Sequence, residues 1–161
     1  MGLGNIKSLK ENDMADLTAF ATKDKSDEGV ILPVMIDGMK VPMAIQIFGD
    51  DSDVVKVYDR QKIRKIVKAQ KDNKKGISAE ELDDLLDSQD EAVIIRMGDI
   101  FTYDWEKNEV VKNEPVELNG HVIGNDHDSK AYLCEKFPAI KEWVMDKAKD
   151  RSNFLSAGKE N

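Results

Sequence analysis

The clearest pattern along the chain is a pair of apolar runs, Val30 to Ile36 and Met39 to Phe48, divided by Asp37-Gly38. An Asp-Gly pair between such runs predicts a β-hairpin with a type I′ turn, because both central positions of that turn need positive φ. A two-residue loop there sets Ile36 against Met39, Val34 against Val41, Leu32 against Met43 and Val30 against Ile45, which makes one face of the hairpin wholly apolar. Pro33 then faces Pro42 at a non-hydrogen-bonded pair, where neither missing N–H is needed by the partner strand. The outer edges lack a ladder bond at the same level, so the hairpin is expected as a two-stranded ribbon packed on helices or on another subunit.

Gly49-Asp50-Asp51-Ser52-Asp53 closes the hairpin and supplies a helix start, with Ser52 or Asp51 as N-cap. The period then changes to that of a helix over about 53–72, with Val54, Val55, Tyr58, Ile63, Ile66 and Val67 as its apolar side. Ser78-Ala79-Glu80-Glu81 reads as a capping box that opens a second helix through Leu82, Leu85, Leu86, Val93, Ile94 and Met97 to Gly98, giving an αα-hairpin. Residues 99–123 alternate, with Phe101, Tyr103 and Trp105 on one side, and Asn119-Gly120 predicts a second small hairpin. Asp128 or Ser129 caps a short helix. Pro138 suits the first turn of another, with Ile140, Trp143, Val144 and Ala148 on one face.

These elements make the expected fold class α+β and mainly helical, with the first hairpin packed on the αα-hairpin and on a C-terminal helix pair. Residues 1–26 are poor in large apolar groups and read as a flexible arm; 27–155 form one globular domain, and 156–161 a polar tail.

Charge changes this picture in one place. Over the whole chain it is −8, with 35% charged residues, which disfavours a general nucleic-acid binder. Residues 52–75 nevertheless hold nine basic against three acidic residues, and 76–95 hold seven acidic residues and no basic one before Arg96. Two antiparallel helices of opposite charge are expected to neutralise each other, and an acidic protein partner for the basic face is the alternative. No run is apolar enough to predict a membrane span or a signal peptide.

The search for chemistry returns little. His121, His127 and Cys134 lack the spacing of a known metal site, and no metal or other cofactor is expected. Asp24-Lys25-Ser26-Asp27-Glu28-Gly29 imitates the first half of an EF-hand loop, but Met35 stands where the bidentate glutamate belongs. There is no nucleophile elbow and no phosphate-cradling loop, and Cys134 reads as a structural thiol, so catalysis is not expected.

What remains distinctive is an order of elements: Trp105, the turn at Asn119-Gly120, the cap around Asn125-Asp126-His127-Asp128-Ser129, Tyr132-Leu133 before Phe137-Pro138, and the ending Asp150-Arg151-Ser152-Asn153-Phe154-Leu155. With the short hairpin, Gly49-Asp50-Asp51-Ser52-Asp53 and the basic helix, this order resembles the tail assembly chaperones of long-tailed bacteriophages over about residues 28–155. The arm before residue 28 and the segment Lys107 to Val116 depart from that family's pattern. The resemblance implies a non-catalytic protein of the host cell cytoplasm that binds the tape-measure protein and tail-tube protein and keeps them soluble. It also implies a partner-binding patch at Trp143, Asn153, Phe154 and Leu155, whose structural alternative is docking of the last helix. The hairpin, which carries Met35, Met39 and Met43, has adaptable apolar surface that allows self-association too. A virion component, such as a minor tail or tail-completion protein, is the alternative function. In the family a ribosomal slip near the gene's end makes a longer product, and Gly158-Lys159 is a dipeptide that a slippery heptamer can encode.

Overall fold

The computed structural model describes Leu17, residues 21–72, residue 76, residues 78–80 and residues 89–155. In chain order the elements are α1 (Lys23–Glu28), β1 (Val30–Ile36), β2 (Met39–Ile47), α2 (Asp53–Asp72), α3 (Gln89–Ile94), β3 (Met97–Asp104), β4 (Glu109–Val111), β5 (Val116–Leu118), β6 (His121–Ile123), α4 (His127–Lys136) and α5 (Pro138–Lys149). A 3₁₀ turn, Arg151–Phe154, follows. The class is α+β, as the pattern predicts. Strands β1 to β4 form one antiparallel sheet in chain order, and β5 and β6 form a separate two-stranded hairpin. One face of the sheet, carrying Val34, Met43, Ile45, Ile47 and Ile100, builds the core with Leu133, Trp143, Val144 and Phe154 from the C-terminal segments. Each large aliphatic side chain removed from water there contributes about 1.5–3 kcal/mol of transfer free energy.

Both predicted turns form. Asp37 and Gly38 have φ of 52° and 78°, and Asn119 and Gly120 have 52° and 74°, as a type I′ loop demands. Beyond the first turn the register departs from expectation. Ile36 pairs with Met39 and Met35 with Lys40, but Pro33 then pairs with Ala44, Leu32 with Ile45 and Val30 with Ile47. Strand β2 thus spends Val41, Pro42 and Met43 opposite Val34 alone. Because the slip is even, the alternation survives: Val34, Met43, Ile45 and Ile47 are all buried. Pro33 does not face Pro42.

The expected ribbon is also a wider sheet. β3 pairs with β2 through Met43–Thr102, Ala44–Phe101 and Ile45–Ile100, so β2 is a central strand. Pro42 lies just outside that ladder. Beside it the Trp105 indole N–H donates to the Val41 carbonyl oxygen at 2.7 Å, so a side chain supplies a donor where the strand pairing stops. Pro33 sits on β1, an edge strand, where a missing donor is tolerated.

The second predicted helix ends sooner than Gly98. α3 stops at Ile94, Arg96 N–H closes a turn on Val93 O, and Met97-Gly98 open β3. Gly98 is no helix cap: a Cβ there would lie 2.7 Å from Gln46 Cδ, so the residue is small because β2's side chain crosses it. Gln46 is held in that crossing, accepting from Asp99 N–H and donating to Glu28 O. The start of that predicted helix, apart from 78–80, lies outside the described residues. Its described acids do not meet the basic helix. Asp90 pairs with Lys141 at 2.9 Å and Glu91 with His127 at 2.9 Å, both toward the C-terminal helices.

Residues 23–26, assigned to the arm by their polarity, are helical, and Ser26 is buried. The apolar side expected of α2 is only partly used. Val55 is buried and Tyr58 and Ile66 half-buried, whereas Val54, Ile63 and Val67 are exposed. α4 begins two to three residues earlier than expected from a cap at Asp128 or Ser129, with Asp126 at the N-cap and its carboxylate accepting from Ser129 Oγ at 2.7 Å. No helix among the described residues is long and apolar enough to cross a membrane.

Candidate functional site

The loop Gly49 to Asp53 is where the most distant parts of the chain meet. Gly49 N–H donates to Ser26 O at 3.2 Å, Asp50 N–H to Ala148 O at 3.0 Å, and Phe48 N–H to Arg96 O at 2.9 Å. Arg96, almost fully buried, donates from Nε to Asp50 Oδ1 at 2.9 Å and from Nη1 to Ala92 O at 2.7 Å. Asp51 takes a two-pronged bond from Arg151, with Nε to Oδ2 and Nη2 to Oδ1 both at 2.9 Å, and a further bond from Thr22 Oγ1. The Arg151 guanidinium first, then the Thr22 hydroxyl, hold the Asp51 carboxyl below the usual carboxylate range. Glycine is required at 49 for space: a Cβ would lie 2.9 Å from Ser26 Cβ and 3.1 Å from the Phe154 ring.

The closing segment is built onto this loop. Asp150 caps the 3₁₀ turn by accepting from Ser152 N–H at 3.0 Å and from Ser152 Oγ at 2.7 Å, and these bonds lower its pKa. Of the four residues assigned to a partner patch, Trp143 and Phe154 are buried at 7% and 1% exposure. Asn153 Nδ2 donates to Lys147 O at 3.0 Å. Asn153 and Leu155 are half-buried. The side chains of Trp143 and Phe154 therefore seat the C-terminal segment in the core, and of the four only Asn153 and Leu155 retain surface.

The residues weighed for chemistry are kept apart by the fold. His121 stacks on Tyr132 at a centroid distance of 4.1 Å, His127 is bound to Glu91, and Cys134 is fully buried. Burial above all, with Asp90 nearby, pushes the Cys134 thiol up to about 11. Among the described residues no group of three His, Cys, Asp or Glu is placed to hold a metal ion. A cleft of about 610 Å³ opens beside α2, lined by Lys62, Val93, Pro138, Lys141, Glu142 and Met145. Its lysine at 141 is already engaged by Asp90.

Apart from Leu17 and Val122, the exposed large apolar groups among the described residues fall into two sets. On the sheet, Ile31, Met35 and Met39 are 47%, 40% and 69% exposed, while Met43 fills the core. Lys40, paired with Met35, lies 5.4 Å from the Trp105 ring centroid, and Trp105 meets Tyr103 edge-on at 5.1 Å. The second set is on α2, where Val54, Val57, Ile63 and Val67 stand exposed among seven Lys and Arg residues. None of those seven is ion-paired among the described residues. The hairpin methionines were legible as a surface in the sequence; the exposed apolar groups on the basic helix were not, and most of the acidic segment expected beside that helix lies outside the described residues.

Comparison of the chain with protein-family models, with curated proteins and with solved structures finds no match.

Proposed function

We propose that this chain is a non-catalytic tail assembly chaperone of a long-tailed bacteriophage, acting in the host cell cytoplasm on the tape-measure and tail-tube proteins. The observation that carries the reading is the joining of two segments on which the resemblance rests. Gly49-Asp50-Asp51-Ser52-Asp53 and Arg151-Ser152-Asn153-Phe154-Leu155 are bound to each other through Asp51 and Arg151, one hundred positions apart, and through Phe154 against Gly49. Segments that resemble one family and also form one substructure fit that family better than scattered likenesses do. The exposed Ile31, Met35 and Met39 suit a protein that covers apolar surface on several clients, since methionine adapts its shape at low cost.

Co-expression tests the reading. A tape-measure fragment or a tail-tube subunit made together with this chain is expected to shift from the insoluble to the soluble fraction and to co-purify with it. Mass spectrometry of finished particles is expected to lack the chain. Its stoichiometric presence in particles, without any gain in client solubility, would replace the chaperone with a virion component.

A further inference from the structure

Helix α2 carries seven basic and three acidic residues, and five of the basic ones form a single outward row. Lys56, Arg60, Arg64 and Lys68 follow one another at i, i+4 spacing, and Lys71 continues the row three positions on. Like charges at that spacing oppose the helix that bears them. At the start of the row Asp27 and Asp51 lie within electrostatic reach of Lys56, but the acids nearest in sequence on α3, Asp90 and Glu91, are taken by Lys141 and His127. At the helix start, Asp53 is bound by Lys23.

The row is flanked on both sides by exposed aliphatic groups. Successive residues of a helix turn by about 100°, so Val57 borders the row on one side and Ile63 and Val67 on the other. Shallow hollows confirm the pairing of charge with apolar surface, one lined by Val57, Arg60, Gln61 and Arg64, another by Ile63, Arg64, Val67 and Lys68. The opposite side, through Val55, Tyr58 and Ile66, faces the protein.

From this arrangement we infer that the outward face of α2 docks an acidic, amphipathic helical segment of another protein. Carboxylates on that segment would meet the row Lys56, Arg60, Arg64, Lys68 and Lys71, and its aliphatic side chains would cover the flanking valines and isoleucine, as in helix-against-helix recognition. A nucleic acid fits less well: the exposed face offers four aliphatic groups and no unengaged aromatic ring for base stacking. The rest of the chain carries −12, the whole at −8 less the helix's +4, and repels a polyanion at long range. A bilayer fits less well too, because the exposed apolar groups are small and split by the basic row, where an interfacial helix presents one bulky apolar face. The inference does not depend on which protein supplies the segment.

The test uses the full chain and a fluorescein-labelled synthetic peptide of three heptads with Leu and Val at a and d and Glu at e and g. Fluorescence anisotropy is expected to show binding that weakens as NaCl is raised and that disappears when the peptide's Glu residues are replaced by Lys. A charge variant, Arg60→Gln/Arg64→Gln/Lys68→Gln, and an apolar variant, Val57→Ser/Ile63→Ser/Val67→Ser, are each expected to bind about tenfold or more weakly. All six side chains are exposed, so both variants are expected to keep the parent's Tm and circular dichroism; should one not, the single substitutions Arg64→Gln and Ile63→Ser are measured in its place. The inference is overturned if neither parent nor variant distinguishes the peptide from its Lys counterpart. It is overturned equally if duplex DNA or phosphatidylserine vesicles bind more tightly than the peptide and ignore the apolar variant.

Discussion

The Asp27 carboxylate, on α1, accepts the backbone N–H of Asp53 at 2.7 Å and so caps the basic helix α2 from outside it. Of the two caps expected from the sequence, Asp51 is taken by Arg151 and Thr22, and Ser52 has its hydroxyl fully buried with no hydrogen-bond partner among the described residues. Lys23 binds both Asp27 and Asp53, and its bond to Asp27, ahead of the Asp53 N–H, lowers the Asp27 pKa. Replacing Asp27 by Asn is expected to lower Tm at neutral pH and to loosen the first turn of α2, read as faster amide exchange there. A carboxyl with a depressed folded pKa stabilises above its unfolded pKa and ceases to as pH falls through the folded value. The parent and Asp27→Asn should therefore differ at pH 7 and converge below the ordinary carboxylate range. A constant difference across that range would show that Asp27 acts otherwise.

Gly98 is expected to reject even a methyl group. In Gly98→Ala the new Cβ meets Gln46 Cδ at 2.7 Å and Cγ at 2.9 Å, and Gln46 cannot swing aside without losing its bonds to Asp99 N–H and Glu28 O. A loss of about 1–3 kcal/mol is expected in urea unfolding. Adding Gln46→Ala should return part of it, so that the double variant is more stable than the sum of the single changes.

Cys134 is expected to be silent to thiol reagents in the folded protein. It is fully buried and its thiol is pushed up to about 11, so little thiolate is present at pH 8. Ellman's reagent should titrate no thiol under native conditions and one per chain in guanidinium. Prompt reaction of the native protein would contradict the burial.

Phe154 and Leu155, adjacent in the closing segment, should separate cleanly. Phe154→Ala empties a site at 1% exposure and is expected to cost about 3–5 kcal/mol, whereas Leu155→Ala, at a half-buried position, should cost much less. If Leu155→Ala also preserves client solubility, neither residue is a contact, and the closing segment serves only to hold the fold together.

Much of the fold was legible where local chemistry decides it. Asp37-Gly38 and Asn119-Gly120 announced their hairpins because few other pairs tolerate two positive φ values in sequence. Pro138 marked the start of α5 because its missing N–H is not needed there. What was not legible depends on partners far along the chain. Gly98 reads as a helix stop until Gln46 is seen across it, and Asp27 reads as part of an incomplete EF-hand-like stretch until Asp53 is seen beside it. The two prolines argued for a ribbon because a strand pairing beyond them, with Trp105 reaching Val41, leaves no local trace. The basic row on α2 was legible as spacing. That it stays uncovered by described acids follows from Lys141 and His127, which lie some fifty and thirty-six positions from the carboxylates they bind. The expected Gly158-Lys159 slippage signal lies outside the described residues.

The bond between Arg151 and Asp51 closes a loop of one hundred positions, which bears on the order of folding events as well as on structure. A contact of such long sequence separation is costly in chain entropy until the intervening sheet and helices have already drawn its ends together. It is therefore expected to form on the native side of the folding barrier, so that in stopped-flow kinetics Arg151→Ala raises the unfolding rate and leaves the folding rate nearly unchanged. Two residues one hundred positions apart are in this way expected to slow the opening of the fold, by no more than the little that an exposed ion pair contributes, without changing how fast the rest assembles.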